Sequence, residues 1–213
     1  MRAEPIQLSG TSRSKQLRRG LFLEYFTVGW NFLEAIVGFA AGIAAGSVAL
    51  IGFALDSVVE ASSGTILIWR LRSESTGRHS AEEVERTAIR FVALAFFALA
   101  IYVGGKSLWD LVQRSAPEKS VTGIGLAAVS LVVMPVLAWR KRRVAGELDS
   151  RALQADSIQT SLCTYLSGFL LIGLLANSLM GWWWADPIAA LTIAVFAAKE
   201  GRQLWQAEDV CCK

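Results

Sequence analysis

The chain has 213 residues, of which 54% are hydrophobic and only 18% charged, with a formal net charge of +3 and a mean hydropathy of +0.44. Its charges gather in a few clusters and leave apolar runs of about 17 to 25 residues between them, the length a helix needs to cross a hydrocarbon core. A soluble helical domain is excluded because its helices would need a polar stripe, and runs such as VALAFFALAIYVGG have none. Nucleic-acid binding is excluded too, because no motif accompanies the basic clusters.

In chain order the predicted spans are Leu21–Gly42, Val48–Trp69, Ile89–Leu111, Ile124–Trp139, Ala152–Leu179 and Pro187–Leu204. The expected fold class is therefore all-α, a polytopic six-helix transmembrane bundle over residues 21–205. A cytoplasmic tail, 1–20, precedes it and a short cytoplasmic tail, 206–213, follows. The first run follows RSKQLRRG as a cleaved leader would, but Asn31 and Glu34 interrupt it and further spans succeed it. Arg13, Lys15, Arg18 and Arg19, then Arg70, Arg72, Arg78, Arg86 and Arg90, then Arg140 to Arg143 with Arg151, mark one side as basic. AAGIAAGS and LANSLMGW have no basic residue, so the positive-inside rule puts both termini in the cytoplasm of a plasma (inner) membrane protein.

Local signals refine this plan. Gly38, Gly42 and Gly46, with Ala61 and Gly64, are small residues that let helices approach closely in lipid. In GWWWADP the tryptophans suit the headgroup interface, Asp186 an N-cap and Pro187 the first helical position. The three cysteines offer no pair in an outer loop, hence no disulfide framework.

Carboxylates at membrane depth cost about 2.5 to 3.5 kcal/mol each on insertion scales, so they face the bundle interior and mark pathways. Glu34, Asp56, Glu60, Asp156 and the interfacial Asp186 are such groups. In FALDSVVEASSG, Asp56 and Glu60 stand at i and i+4 on one face of the second span. Two like charges so placed call for a shared divalent cation, a proton, or hydrogen bonds from neighbouring helices. In QADSIQTSLCTY, Asp156, Gln159, Thr160 and Cys163 share a face of the fifth span and offer carboxylate, amide, hydroxyl and thiol. Such a stripe either completes a metal site or bonds helix to helix. Asn31 and Glu34 are candidates to support the ligands or relay protons, as is Thr160, or to bond between helices. His79 lies in STGRHSAEEVER, a surface loop leading into a helix or, less simply, a loop metal site. Cys211 and Cys212 offer capture of a soft metal at the cytoplasmic mouth, acylation, or neither.

Three stretches, GIAAGSVALIGFALDSVVEASSG from Gly42, RALQADSIQT and WADPIAAL, together resemble the transmembrane domain of the cation diffusion facilitator family of divalent metal exporters. The resemblance runs from about Tyr25 to Gly201 and keeps the six-helix order. It implies a homodimer, held here by membrane helices, in which each protomer binds Zn²⁺ or a related ion (Cd²⁺, Fe²⁺, Mn²⁺, Co²⁺) between spans two and five. Alternating access would exchange that metal for protons. Asp56 and Glu60 match the family's ligand positions in the second span, while Gln159 and Cys163 stand where it usually has a histidine and an aspartate. Glutamine is a poor zinc ligand and a thiol shifts preference toward softer ions, with Asp156 one turn away as a further ligand. The family's usual C-terminal cytoplasmic domain is expected to be missing here, and its loop histidines are reduced to His79.

The expected function is a divalent cation/proton antiporter moving metal out of the cytoplasm, with metal as cargo and no cofactor. The alternative is a non-transporting membrane protein that binds metal structurally or modulates a partner. An enzyme is not expected, because the paired acids lack the glycine-flanked setting of an intramembrane aspartyl protease.

Overall fold

The computed structural model describes residues 10–75, 82–115, 117–148 and 150–210, which form six α-helices. They are α1 (Gly10–Ala45), α2 (Val48–Ser75), α3 (Glu82–Gln113), α4 (Val121–Leu148), α5 (Arg151–Met180) and α6 (Ala185–Val210). The spans Ser14–Ala45, Val48–Trp69, Ala93–Gln113, Val121–Leu148 and Asp156–Met180 are long and apolar enough to cross a membrane. Helix α6, which carries Asp186, Lys199, Glu200 and Arg202, is not among them. The architecture is a polytopic helical membrane bundle. Its outward face is what lipid demands: Phe22, Phe32, Ile43, Ile101, Val112, Val132, Ile172 and Val195 are all exposed.

Helices pack most extensively as the pairs α1/α2, α3/α6 and α4/α5, and α2 touches α1, α3, α5 and α6. One apolar cluster joins Leu50 and Phe53 of α2 to Phe96 and Val103 of α3, Leu170 of α5 and Ile193 of α6. A second joins Leu23, Leu71, Met134, Val144 and Leu153 around Cys163. Because hydrocarbon surrounds the bundle, such contacts gain from close fit rather than from escape out of water. Gly42 shows how tight the α1/α2 seam is: a Cβ there would sit 2.9 Å from Ile51 Cγ1 and 3.0 Å from the Ile51 nitrogen. Gly38 similarly meets Ala54, and Gly64 meets Val28. Gly46 serves a different need, since its φ of +64° lets the chain reverse between α1 and α2.

Two elements depart from the expected plan. Asp186 was expected to cap its own helix, yet its carboxylate reaches across to the start of α2. It accepts from the Ser47 hydroxyl, from Val48 N at 3.1 Å and from Ala49 N at 3.3 Å. The Ser47 hydroxyl oxygen in turn accepts from Leu50 N at 3.1 Å, so the orphan amides of α2 are met jointly by a local and a distant cap. Helix α4, read as ending near Trp139, runs on to Leu148. Met134, Leu137, Ala138, Lys141, Val144, Ala145 and Leu148 form its buried stripe. Lys141, counted with Arg140 to Arg143 as cytoplasmic surface, is thus fully buried while Arg140, Arg142 and Arg143 are exposed.

Asp186→Ala removes the distant cap and leaves buried donors unpaired; it is expected to destabilise the bundle by about 2 kcal/mol, read as a lowered Tm in detergent.

Candidate metal centre

Asp56 and Glu60 lie near the middle of the apolar span Val48–Trp69 and are 5% and 1% exposed. Their i, i+4 spacing turns both toward α5, where the Cys163 thiol stands 3.2 Å from Asp56 Oδ2 and 2.7 Å from Glu60 Oε2. One S–H proton faces two carboxyl oxygens, so the group binds α2 to α5 through a shared donor. A turn further along, Ser63 of α2 donates to Gln159 Oε1 of α5 at 3.4 Å. The pairing of 56 and 60 with 163, and of 63 with 159, shows the two helices running antiparallel here. Glu60 Oε1 and Gln159 Nε2 are buried without a hydrogen-bond partner. Such orphans are costly in a dry interior and point to a donor or cation that the side chains themselves do not supply.

No group of three or more His, Cys, Asp and Glu side chains is disposed, as it stands, to hold a metal ion among the described residues. What stands instead is a thiol bridging two carboxyl groups, with a half-buried amide beside it. A cation would take the place of the bridging proton, and the donors it would meet are two carboxylates, one sulfur and one amide oxygen.

The remaining sequence candidates separate from this centre. Glu34 accepts from Trp30 Nε1 at 2.6 Å, from Ser57 Oγ at 3.1 Å and from the Ser130 hydroxyl, which ties α1 to α2 and α4. Asn31 is fully buried, and both its amide atoms lack a partner. Asp156 faces another group: its Oδ2 pairs with the Lys141 ammonium, which also contacts Glu24 Oε2 at 3.1 Å and Thr160 Oγ1 at 3.3 Å. The Thr160 hydroxyl donates to the Asp156 carbonyl at 3.1 Å. The structure therefore gives Asp156 an ammonium partner and sets it apart from the Asp56–Glu60–Cys163 group. His79, Cys211 and Cys212 lie outside the described residues.

Sequence reasoning missed Glu24 and Lys141. Both carried a signal: Glu24, Thr27, Asn31 and Glu34 form a buried polar stripe on α1 at helical spacing, and Lys141 continues the apolar stripe of α4. The basic run around Lys141 drew the reading toward the surface.

Residues 26–206 match the cation efflux transmembrane domain family. The chain belongs to the cation efflux family. Among its relatives, transmembrane protein 163 of Xenopus laevis is 28% identical over 155 residues, 73% of this chain and 54% of the relative. An uncharacterised transporter of Synechocystis is 26% identical over 153 residues, 70% and 49% of the two chains. The cation-efflux pump FieF of Shewanella oneidensis is 25% identical over 128 residues, 60% and 42% of the two chains. The chain thus spans about half the length of the curated relatives it matches. The matched region contains both helices that meet at Asp56, Glu60 and Cys163, so the cation efflux domain and the bridged carboxyl pair coincide.

Cys163 is 4% exposed and is expected to react slowly with N-ethylmaleimide in the folded protein. Cd²⁺ should slow it further, by severalfold, as followed by mass spectrometry of the Cys163 peptide. An unchanged rate at saturating Cd²⁺ would separate the thiol from the cation.

Proposed function

We propose that this chain exports a divalent cation, Zn²⁺ foremost, by alternating access and in exchange for protons. The observation that carries the reading is the Cys163 thiol set between Asp56 and Glu60, buried where α2 and α5 cross. Membership of the cation efflux family and similarity to the cation-efflux pumps FieF support it. The proposed ligands are Asp56, Glu60 and Cys163, with the Gln159 carbonyl oxygen at the edge. Glu34 and Asn31 stand behind α2 as supporting polar groups, and Asp156 serves the ion pair with Lys141.

Competition explains why such a site exchanges metal for protons. Metal and protons compete for the same groups: the cation binds the carboxylate and thiolate forms, and without it a low-dielectric interior favours their protonated forms. Binding of metal therefore expels protons, and protons arriving from the other side expel metal. The thiol biases the site toward softer borderline ions, Zn²⁺ and Cd²⁺ over Mn²⁺. The protein is read as a homodimer held by its membrane helices, with both termini and the basic end of the bundle in the cytoplasm; these follow from the family resemblance and the positive-inside rule.

In proteoliposomes, Asp56→Asn is expected to abolish metal-dependent proton flux. Glu60→Gln should weaken metal binding by more than the roughly 10- to 100-fold lost when only a ligand's supporting partner is removed. Flux indistinguishable from leakage in wild type and variants alike would favour the alternative, a membrane protein that binds metal without transporting it. Cys163→Ser is expected to reduce Cd²⁺ transport more than Mn²⁺ transport; equal loss for both ions would remove the thiol from the ligand set.

A further inference from the structure

At the end of the bundle where Arg140, Arg142 and Arg143 are exposed, Lys141 is buried with 0% exposure. Its ammonium is surrounded by oxygen: Glu24 Oε2 from α1 at 3.1 Å, Thr160 Oγ1 from α5 at 3.3 Å, and Asp156 Oδ2 from α5. Glu24 and Thr160 are fully buried and Asp156 is 5% exposed. Two carboxylates surround one ammonium, and the second oxygen of each, Glu24 Oε1 and Asp156 Oδ1, is buried with no hydrogen-bond partner. A cage built to hold a lysine permanently would be expected to satisfy those oxygens from neighbouring helices. What this cage lacks is further positive charge, and a divalent cation would supply it.

We propose that Glu24, Asp156 and Thr160 form a second cation station beside the Asp56–Glu60–Cys163 centre, with the Lys141 ammonium as a tethered stand-in that an incoming divalent cation must displace. Thr160 and Cys163 are less than one turn apart on α5, so the station lies next to the centre on its basic side. Lysine suits the part. Its ammonium is a compact point charge on a flexible stem, and it sits in the basic run where Arg140, Arg142 and Arg143 are exposed. While seated, it joins α1, α4 and α5 and closes that end of the bundle; once displaced, it releases them. The donors are all oxygen, so the station accepts harder ions such as Mn²⁺ that the thiol-containing centre disfavours. The pair of sites then acts as a sequence, an unselective entry followed by a selective centre. The proposal rests on reading Asp56, Glu60 and Cys163 as the central metal site, and its test removes that site.

In full-length protein carrying Glu60→Gln and Cys163→Ser, Mn²⁺ binding is measured by electron paramagnetic resonance, with and without Lys141→Met. The Lys141→Met protein is expected to bind Mn²⁺ at least about tenfold more tightly than its Lys141 parent, and adding Asp156→Asn should reverse the gain. A monodisperse Lys141→Met protein with no gain overturns the proposal. Should that variant fail to fold, wild-type protein decides: amine acylation traced by peptide mass spectrometry should leave Lys141 unmodified without metal and label it in saturating Mn²⁺. Labelling that does not depend on Mn²⁺ overturns the proposal equally. An intact Mn²⁺ response at the station in protein whose transport Glu60→Gln has abolished supports the station independently of the central site.

Discussion

The interior of this bundle has to neutralise more negative charge than it can pair. Glu24, Glu34, Asp56, Glu60 and Asp156 are all buried, and Lys141 is the one buried ammonium among the described residues. Hydrocarbon outside and apolar clusters inside offer no water to these groups, so each must find a donor, a cation or a proton. The structure answers by dividing them. Glu34 is held by a tryptophan and two serine donors, Glu24 and Asp156 share the lysine, and Asp56 and Glu60 share one thiol. Only the last group depends on so weak a donor, and it is set between α2 and α5.

That division also arranges the molecule along its axis. From one end, Asp186 pins the start of α2, then Ser57 and Ser130 engage Glu34, then Asp56 and Glu60 meet Cys163, then Ser63 meets Gln159, and last comes the Lys141 cluster. Helix α2 runs through nearly the whole series and touches four other helices. Its position is fixed by close approach at Gly38 and Gly42 on α1 and by the Asp186 cap from α6, so the two carboxylates are presented at one depth and in one direction. Under the proposed function, a site that binds and releases a cation gains from this rigidity on one side, because the charge balance then changes only with what occupies it.

The departures from the family pattern sharpen the chemistry. Cys163 faces the acid pair and Gln159 meets Ser63 a turn away, so the titratable groups that come together here are two carboxyls and a thiol. The Gln159 carbonyl oxygen accepts from Ser63, while its NH₂ group, with two N–H donors, is buried without a partner. A thiol and an amide are softer and less basic donors than an imidazole, and under the proposed function they shift the preference among divalent ions.

Much of this could be read along the chain. Apolar run lengths determined a membrane bundle of helices because a backbone in lipid has no other way to satisfy its hydrogen bonds. The i, i+4 spacing determined that Asp56 and Glu60 share a face, and the stripe on α5 put Gln159 and Cys163 on another, because helical periodicity is a local property. Local reasoning failed where partners are far apart in sequence. Asp186 looks like the cap of its own helix and in fact caps α2; Asp156 shows its charge in the sequence but not its pairing with a lysine; Lys141 looks like surface and lies in the core. In each case the residue's charge is visible in the sequence, but its partner is chosen by which helices pack together. In a low-dielectric interior the partner decides what the charge does.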